Sequence, residues 1–213
     1  KLEAVVGGLV EAGYEDIVIV NDGSNEEHLE PFKRLEKLEQ CTVLTHEVNK
    51  GKGRALKTAF SYILENRRNI AGVITVDGDN QHKVPDIKAC EKLMLEKEDA
   101  VILGCRDFSG KDVPFRSRFG NKFTSFTFKV ACGVNISDTQ TGLRAIPFKY
   151  LGNMLEIEGE RFEYETNMLL SLRKYNIPYA EQKIETVYIE ENQTSHFNPI
   201  VDSIKIYKVI LKF

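Results

Sequence analysis

The sequence lacks most of the features that would classify it quickly. It has no C-x-x-C pair: Cys41, Cys90, Cys105 and Cys132 are widely separated. That leaves a zinc ribbon or a disulfide framework with little support, and fits buried free thiols in a reducing cytoplasm. No apolar run approaches the roughly 20 residues of a membrane span, and no signal peptide is visible. Basic residues are not in excess, with 29 Lys and Arg against 32 Asp and Glu for a formal charge of −3, which argues against a nucleic-acid binder. Internal repeats and low-complexity segments are missing, as is the phosphate-loop signature G-x-x-x-x-G-K-[ST]. What remains is 213 residues, 42% hydrophobic and 29% charged, the composition of one globular domain with a sizeable core. The chain opens at Lys1 inside one apolar-periodic segment (Leu2, Val5, Val6, Leu9, Val10) and stops at Phe213 inside another. Both ends read as cuts through a longer protein.

What is present is a regular alternation. Residues 2–12 predict a helix closed by Gly13, and Ile17–Val20 a strand. A helix is expected over 26–39, a strand over 41–45 and a helix from Asn49–Arg54 to about residue 66. A strand follows at 73–76, then a helix from Pro85, a residue suited to a first turn, to about Lys97, and a strand over 100–104. Such alternation predicts a parallel sheet covered by helices. Beyond it, 105–114 is loop-like, and 115–131 predicts a helix bearing Phe115, Phe119, Phe123, Phe126 and Phe128. A short strand follows residue 142, a helix spans 160–175, and 179–189 is extended. The tail from Pro199 alternates an apolar stripe (Ile200, Val201, Ile204, Tyr207, Ile210, Leu211) with Lys205, Lys208 and Lys212. It reads equally as a core-packing helix or a membrane-surface helix.

Chemistry gathers at the strand ends. In an open α/β sheet, ligands bind beyond the carboxyl ends of the strands, and those ends bear Asp22, the loop Asn49–Arg54, and Asp77 with Asp79. Residues i and i+2 of an extended chain point the same way, so both aspartates can face one cleft. Their hard oxygens suit Mg²⁺ or Mn²⁺, which keeps some waters and takes further ligands from substrate phosphates. Alone, D-x-D reads more readily as a turn or cap. Aspartyl-nucleophile phosphatases also place D-x-D after a strand, but Gln81 stands where they need Thr or Val, and the pair arrives on the third strand rather than the first. The loop Asn49–Arg54 reads evenly as a helix N-terminus with solvated lysines or as a phosphate contact. His82 and His196 read as hydrogen-bonding loop residues, since no second His or Cys stands at metal spacing.

Seven boxes in order resemble one family. Val20-Asn21-Asp22-Gly23-Ser24 resembles V-D-D-G-S, Asn49–Gly53 resembles N-x-G-x-G, and Asp77-Gly78-Asp79-Asn80-Gln81-His82 is similar to D-A-D-x-Q-H. Gly104-Cys105-Arg106 resembles G-S-R, Ser117–Asn121 resembles S-R-x-x-N, Asp138–Arg144 resembles D-x-x-(S/T)-G-x-R, and Arg161–Glu165 resembles R-F-E-x-E. The family is the inverting family 2 glycosyltransferases of GT-A fold, in the branch of dolichyl-phosphate mannose synthase and the bacterial polyprenyl-phosphate glycosyltransferases. The resemblance covers about residues 2–198 and implies an α/β, Rossmann-like domain with a mostly parallel central sheet. The segment 199–213 stands apart as an amphipathic, possible juxtamembrane piece.

The resemblance implies a division of roles. Asp22 and Gly23, with Lys52 and Asp77, bind the nucleotide sugar; Asp79, with Asp77 and Gln81, holds Mg²⁺ or Mn²⁺; Arg106 and Arg118 bind an acceptor phosphate. Asp138 takes a proton if the acceptor is a hydroxyl, and orients groups or caps a turn if it is an already ionised phosphate. Arg144 neutralises the diphosphate or pairs with Asp138. Glu163 and Glu165 shape the acceptor end. Two departures stand out. The family's opening strand, ending P-x-(Y/F)-N-E, is missing, and Thr194–Pro199 replaces the G-E-S-K-x of mannose synthases, which points to a bacterial relative. The expected activity is metal-dependent transfer of a UDP- or GDP-linked hexose to polyprenyl phosphate, at the inner face of the membrane from the cytoplasm. A saccharide or protein hydroxyl as acceptor, a sugar-phosphate nucleotidyltransferase, and a non-catalytic binding module are the alternatives.

Overall fold

β-branched runs become strands and stripes of period 3.6 become helices. The structure, a computed structural model, describes residues 1–106 and 135–185 together with Lys129 and Gly133. Helix α1 (Leu2–Glu11) buries Val5, Val6 and Leu9. Strand β1 (Ile17–Asp22) pairs in parallel with β2 (Cys41–His46), Ile17 opposite Cys41 and Asp22 opposite His46. Helix α3 (Lys52–Asn66) leads to β3 (Gly72–Thr75), and α4 (Val84–Glu96) to β4 (Val101–Arg106). Strand β5 (Arg144–Pro147), the short helix α5 (Leu151–Leu155), helix α6 (Glu163–Lys174) and β6 (Tyr179–Ile184) complete the described elements.

The strands fall into two groups, β1–β2 and β3–β5–β4–β6. Helix-linked strands run parallel, as expected, but β5 enters antiparallel between β3 and β4, while β6 lies parallel to β4. β4 is central and reads as a continuous apolar run, with Val101 to Cys105 all buried, as a strand covered on both faces should.

One expected helix is shorter. Instead of 26–39, the chain forms a 3₁₀ turn at Glu26–His28 and then α2 (Glu30–Leu35). Pro31 sits in the first turn of α2; inside a continuous helix its ring would remove one hydrogen bond and clash with an upstream carbonyl. The phenylalanine-bearing segment 115–131, Arg118, Cys132, His196 and the tail 199–213 lie outside the described residues, apart from Lys129. Cys90 and Cys105 are buried and Cys41 partly so, all with free thiols. Burial pushes the Cys90 and Cys105 thiols up to about 12, which leaves them unreactive. No helix among the described residues is long and apolar enough to cross a membrane.

Candidate active site at the carboxyl ends of the strands

Asp22 ends β1 and organises the loop that follows β2. Its Oδ1 accepts the Lys50 N–H at 2.8 Å and its Oδ2 the Gly51 N–H at 2.7 Å. The buried His46, last residue of β2, donates through Nδ1 to Oδ1 at 2.7 Å, while its Nε2 stands 2.9 Å from the Thr58 hydroxyl. Burial would raise the Asp22 carboxyl, but these three donors together hold it below the usual carboxylate range. His46 was not among the residues singled out by sequence; its place at the end of a strand, beside Asp22 in the parallel register, is the signal that could have found it. Gly23 has φ +69°, and a Cβ there would collide with the backbone of Val48 and Asn49. It lets the two strand-end loops touch.

The same loop delivers Lys52 to Asp77. Gly51, at φ +99°, precedes α3 and packs against Glu160 and Arg161, which aims the first turn of α3 across the cleft. Lys52 Nζ then lies 2.7 Å from Asp77 Oδ1 and 3.0 Å from Glu165 Oε2. Burial works against the ammonium, yet the two carboxylates outweigh it and raise its pKa. Burial likewise works against the charged Asp77, and the nearby His82 imidazole and the Lys52 charge overcome it, holding the carboxyl well below the usual range. His82 Nε2 is buried without a hydrogen-bond partner, 3.5 Å from Asp77 Oδ2. Glu165, expected only to shape the acceptor end, is a direct partner of Lys52.

Gly142 closes the far side of Asp77. A Cβ on it would lie 2.5 Å from Asp77 Oδ2, and the Thr75 hydroxyl donates to the Gly142 carbonyl at 2.7 Å, fixing the approach. Asp79, by contrast, turns back: its Oδ1 accepts the Gln81 backbone N–H at 3.0 Å. Gln81 therefore supports Asp79 through its main chain. Among the described residues no group of three or more His, Cys, Asp or Glu side chains is arranged to hold a metal. Two carboxylates at i and i+2 suffice for a Mg²⁺ or Mn²⁺ that completes its shell with water and substrate phosphate.

Asp138 and Arg106 form the other pole. Asp138 is fully buried, and its carboxylate accepts four N–H bonds: Arg106 Nε at 2.7 Å, Arg106 Nη2 at 3.2 Å, the Arg106 backbone at 3.2 Å and the Gln140 backbone at 2.9 Å. A carboxylate has about four lone-pair sites, so the shell is full. Arg144 was expected at the diphosphate or on Asp138; the contacts seen for it do not include Asp138. Its side chain is buried and donates to the carbonyls of Glu165 (3.1 Å) and Thr141 (3.4 Å) and to Met168 Sδ (2.8 Å), while its Nε has no partner. It ties the loop carrying Gly142 to the helix carrying Glu165.

A family model described as "Glycosyl transferase family 2" matches residues 3–155. The chain is 26% identical over 227 residues to a UDP-N-acetylglucosamine–dolichyl-phosphate N-acetylglucosaminyltransferase of Methanococcus voltae, covering 99% of this chain and 90% of that one. Its fold is similar to that of glucosyl-3-phosphoglycerate synthase from Mycobacterium tuberculosis, solved with phosphoglyceric acid, with TM-score 0.65 and 11% identity over 99% of this chain and 72% of the other. It is also similar to GalNAc-T7 solved with UDP, GalNAc and Mn²⁺, with TM-score 0.56 and 14% identity; the match covers 96% of this chain and 45% of that one.

Proposed function

The chain belongs to glycosyl transferase family 2 and has the GT-A fold, and we propose that it moves a hexose, with inversion, from a nucleotide sugar to a polyprenyl phosphate. The observation that supports this acceptor is the filled shell of Asp138. A sugar or protein hydroxyl must lose its proton during attack and needs a carboxylate with an open lone pair. A lipid phosphate is already ionised and needs none. Asp138 instead fixes the planar Arg106 guanidinium, a fork that matches phosphate oxygens, with Arg118 as a second phosphate contact. The dolichyl-phosphate acceptor named for the Methanococcus voltae relative agrees with this reading.

On the donor side, Asp22 holds the loop that presents Lys52, and Gly23 lets that loop close against the end of β1. Asp77 and Asp79 have the donor chemistry for Mg²⁺ or Mn²⁺, with Asp79 the more open ligand because Lys52 already engages Asp77. A bound divalent ion supplies positive charge to the departing nucleoside diphosphate. Lys52, between Asp77 and Glu165, is placed to follow the diphosphate oxygens and to return to the carboxylates once they leave. Arg144 is a positioning residue for the Gly142 loop. With a lipid acceptor, the enzyme works at the cytoplasmic face of a membrane, which the amphipathic segment 199–213 would contact.

The test is incubation with labelled nucleotide sugar, Mn²⁺ and polyprenyl phosphate. Lipid-linked sugar with release of nucleoside diphosphate is the expected result. Asp138→Asn, which loosens Arg106, should raise the KM for the lipid phosphate while leaving kcat at saturating acceptor largely intact; loss of kcat itself, in a variant that stays folded, would favour a hydroxyl acceptor. Pyrophosphate exchange would identify a nucleotidyltransferase instead, and an Asp79→Ala variant unchanged in metal and nucleotide binding would point to a non-catalytic module.

A further inference from the structure

Three hydrogen bonds converge on the Asp22 carboxylate, and only one of them comes from outside the loop that Asp22 organises. The Lys50 and Gly51 N–H groups belong to that loop. The third donor is His46 Nδ1, 2.7 Å from Oδ1. His46 closes β2 and is only 8% exposed, directly opposite Asp22 in the parallel register. Its far nitrogen, Nε2, stands 2.9 Å from the hydroxyl of Thr58, on the helix α3 whose Phe60 and Ile63 pack against Val18 of β1. The imidazole is therefore held at both ends by elements of the sheet and its covering helix, and not by the loop.

The two partners decide where the imidazole proton sits. An ionised carboxylate only accepts, whereas a hydroxyl both donates and accepts. Nδ1 must therefore carry a proton, and the Thr58 hydroxyl can donate to Nε2. A bare Nδ1 would set two acceptors 2.7 Å apart in a buried place, where an unmade bond is costly. Turning the ring over would put carbon against Asp22 and lose the Thr58 bond in the same movement, so Thr58 keeps the ring the right way round. Asp22, aimed in this way, sets the path into α3. Gly51 leads directly to Lys52, whose Nζ meets Asp77 and Glu165.

We propose that His46 is a positioning residue for the donor: its Nδ1 proton fixes the Asp22 carboxylate, which sets the 50–51 loop and so holds Lys52 where the diphosphate of the nucleotide sugar binds. This rests on the donor reading given above. His46 acts through Asp22 and takes no part in making or breaking the glycosidic bond. Its loss therefore changes donor affinity more than turnover. The donor at Nδ1 is the essential part, and an amide nitrogen at the same place can supply it.

The test uses His46→Leu and His46→Asn, whose side chains share one branched outline and differ in hydrogen bonding. Asn places an N–H where Nδ1 stood, and Leu places a methyl there. Each form is titrated with UDP and with GDP in the presence of Mn²⁺. His46→Leu should weaken binding by about tenfold or more and His46→Asn by no more than about threefold, the scale of one bond to a charged group. Amide exchange at Lys50 and Gly51 should quicken in the Leu form and stay near the wild-type rate in the Asn form. With labelled nucleotide sugar and polyprenyl phosphate, the donor KM should rise in the Leu form by more than kcat falls. Long-range proton–nitrogen NMR of the wild-type chain, with the His46 signals identified by their loss in the Asn form, should show Nδ1 protonated. Equal binding by the Leu and Asn forms overturns the proposal, as does a wild-type His46 protonated on Nε2 alone. A wild-type chain that binds neither UDP nor GDP overturns the donor reading and this inference with it.

Discussion

Asp77 has its charge and its place decided by different neighbours. Lys52 and His82 keep it ionised, whereas Gly142, pinned by Thr75, fixes where it stands. Gly142→Ala should therefore displace Asp77 without unfolding the chain, since the residue is not in a glycine-only backbone conformation. The expected outcome is a fall in kcat/KM of about tenfold or more, ~1.4 kcal/mol of transition-state stabilisation, with the thermal midpoint shifted by only a few degrees. Lys52→Met leaves Asp77 and Glu165 without their shared cation, and should weaken nucleotide-sugar binding by a similar factor in a titration. Sequence singled these residues out through strand-end placement and motif order. It did not show that Lys52 bridges two carboxylates, because Glu165 comes from a helix more than a hundred residues further on, and no local spacing encodes that approach. Arg144 illustrates the converse. Its box is legible, yet whether a guanidinium points into a cleft or into the core depends on packing against Met168 and Glu165.

Among the elements, α3 depends most on its entry. Gly51 combines a left-handed φ of +99° with direct packing on Glu160 and Arg161, and donates its N–H to Asp22. Gly51→Ala strains the backbone and forces the loop off Glu160, so α3 should tilt, with losses in both donor binding and thermal stability. Arg54 and Lys57 of the same helix both reach Glu160, but the Arg54 pair is half exposed and its removal should cost under ~1 kcal/mol in a denaturant melt. Helices and strands were legible wherever periodicity was strong, as in α4, whose Ile87, Cys90 and Met94 form the buried stripe. The second helix was overextended because its charge pattern ran through Pro31. The antiparallel course of β5 was not legible either, since four residues, Arg144 to Pro147, carry no mark of direction.

Taken as a whole, the molecule gathers depressed carboxylates at one end of its sheet, and its response to acid follows. Asp22 and Asp77 both have folded pKa values below the ordinary value near ~4, so around that pH the folded chain binds fewer protons than the unfolded one. Their contribution to stability is complete above that ordinary value and is lost as pH falls through the folded values. Urea melts from pH 6 down to pH 2 should show stability declining below about pH 4. Asp22→Asn should begin less stable at pH 6 and decline less steeply. The family and the GT-A fold were legible at this scale because seven short boxes kept their order across most of the chain. The division of the strands into two groups was not, since no local pattern says which strand edges meet.

The insertion of β5 has a consequence in time. β3 and β4 are never hydrogen-bonded to each other; each pairs with β5, which is made some forty residues after β4. During synthesis both strands must wait, with unpaired edges, for residues 144–147 to leave the ribosome. Pairings of that sequence separation form slowly, and exposed edges attract wrong partners while they wait. The arrival that joins β3 to β4 is also the one that sets Gly142 against Asp77. A nascent chain halted short of Pro147 should thus be open to protease at β3 and β4 and be without a formed site. Joining β3 to β4 and setting Gly142 against Asp77 are one late event, which β6 and Glu165 then complete.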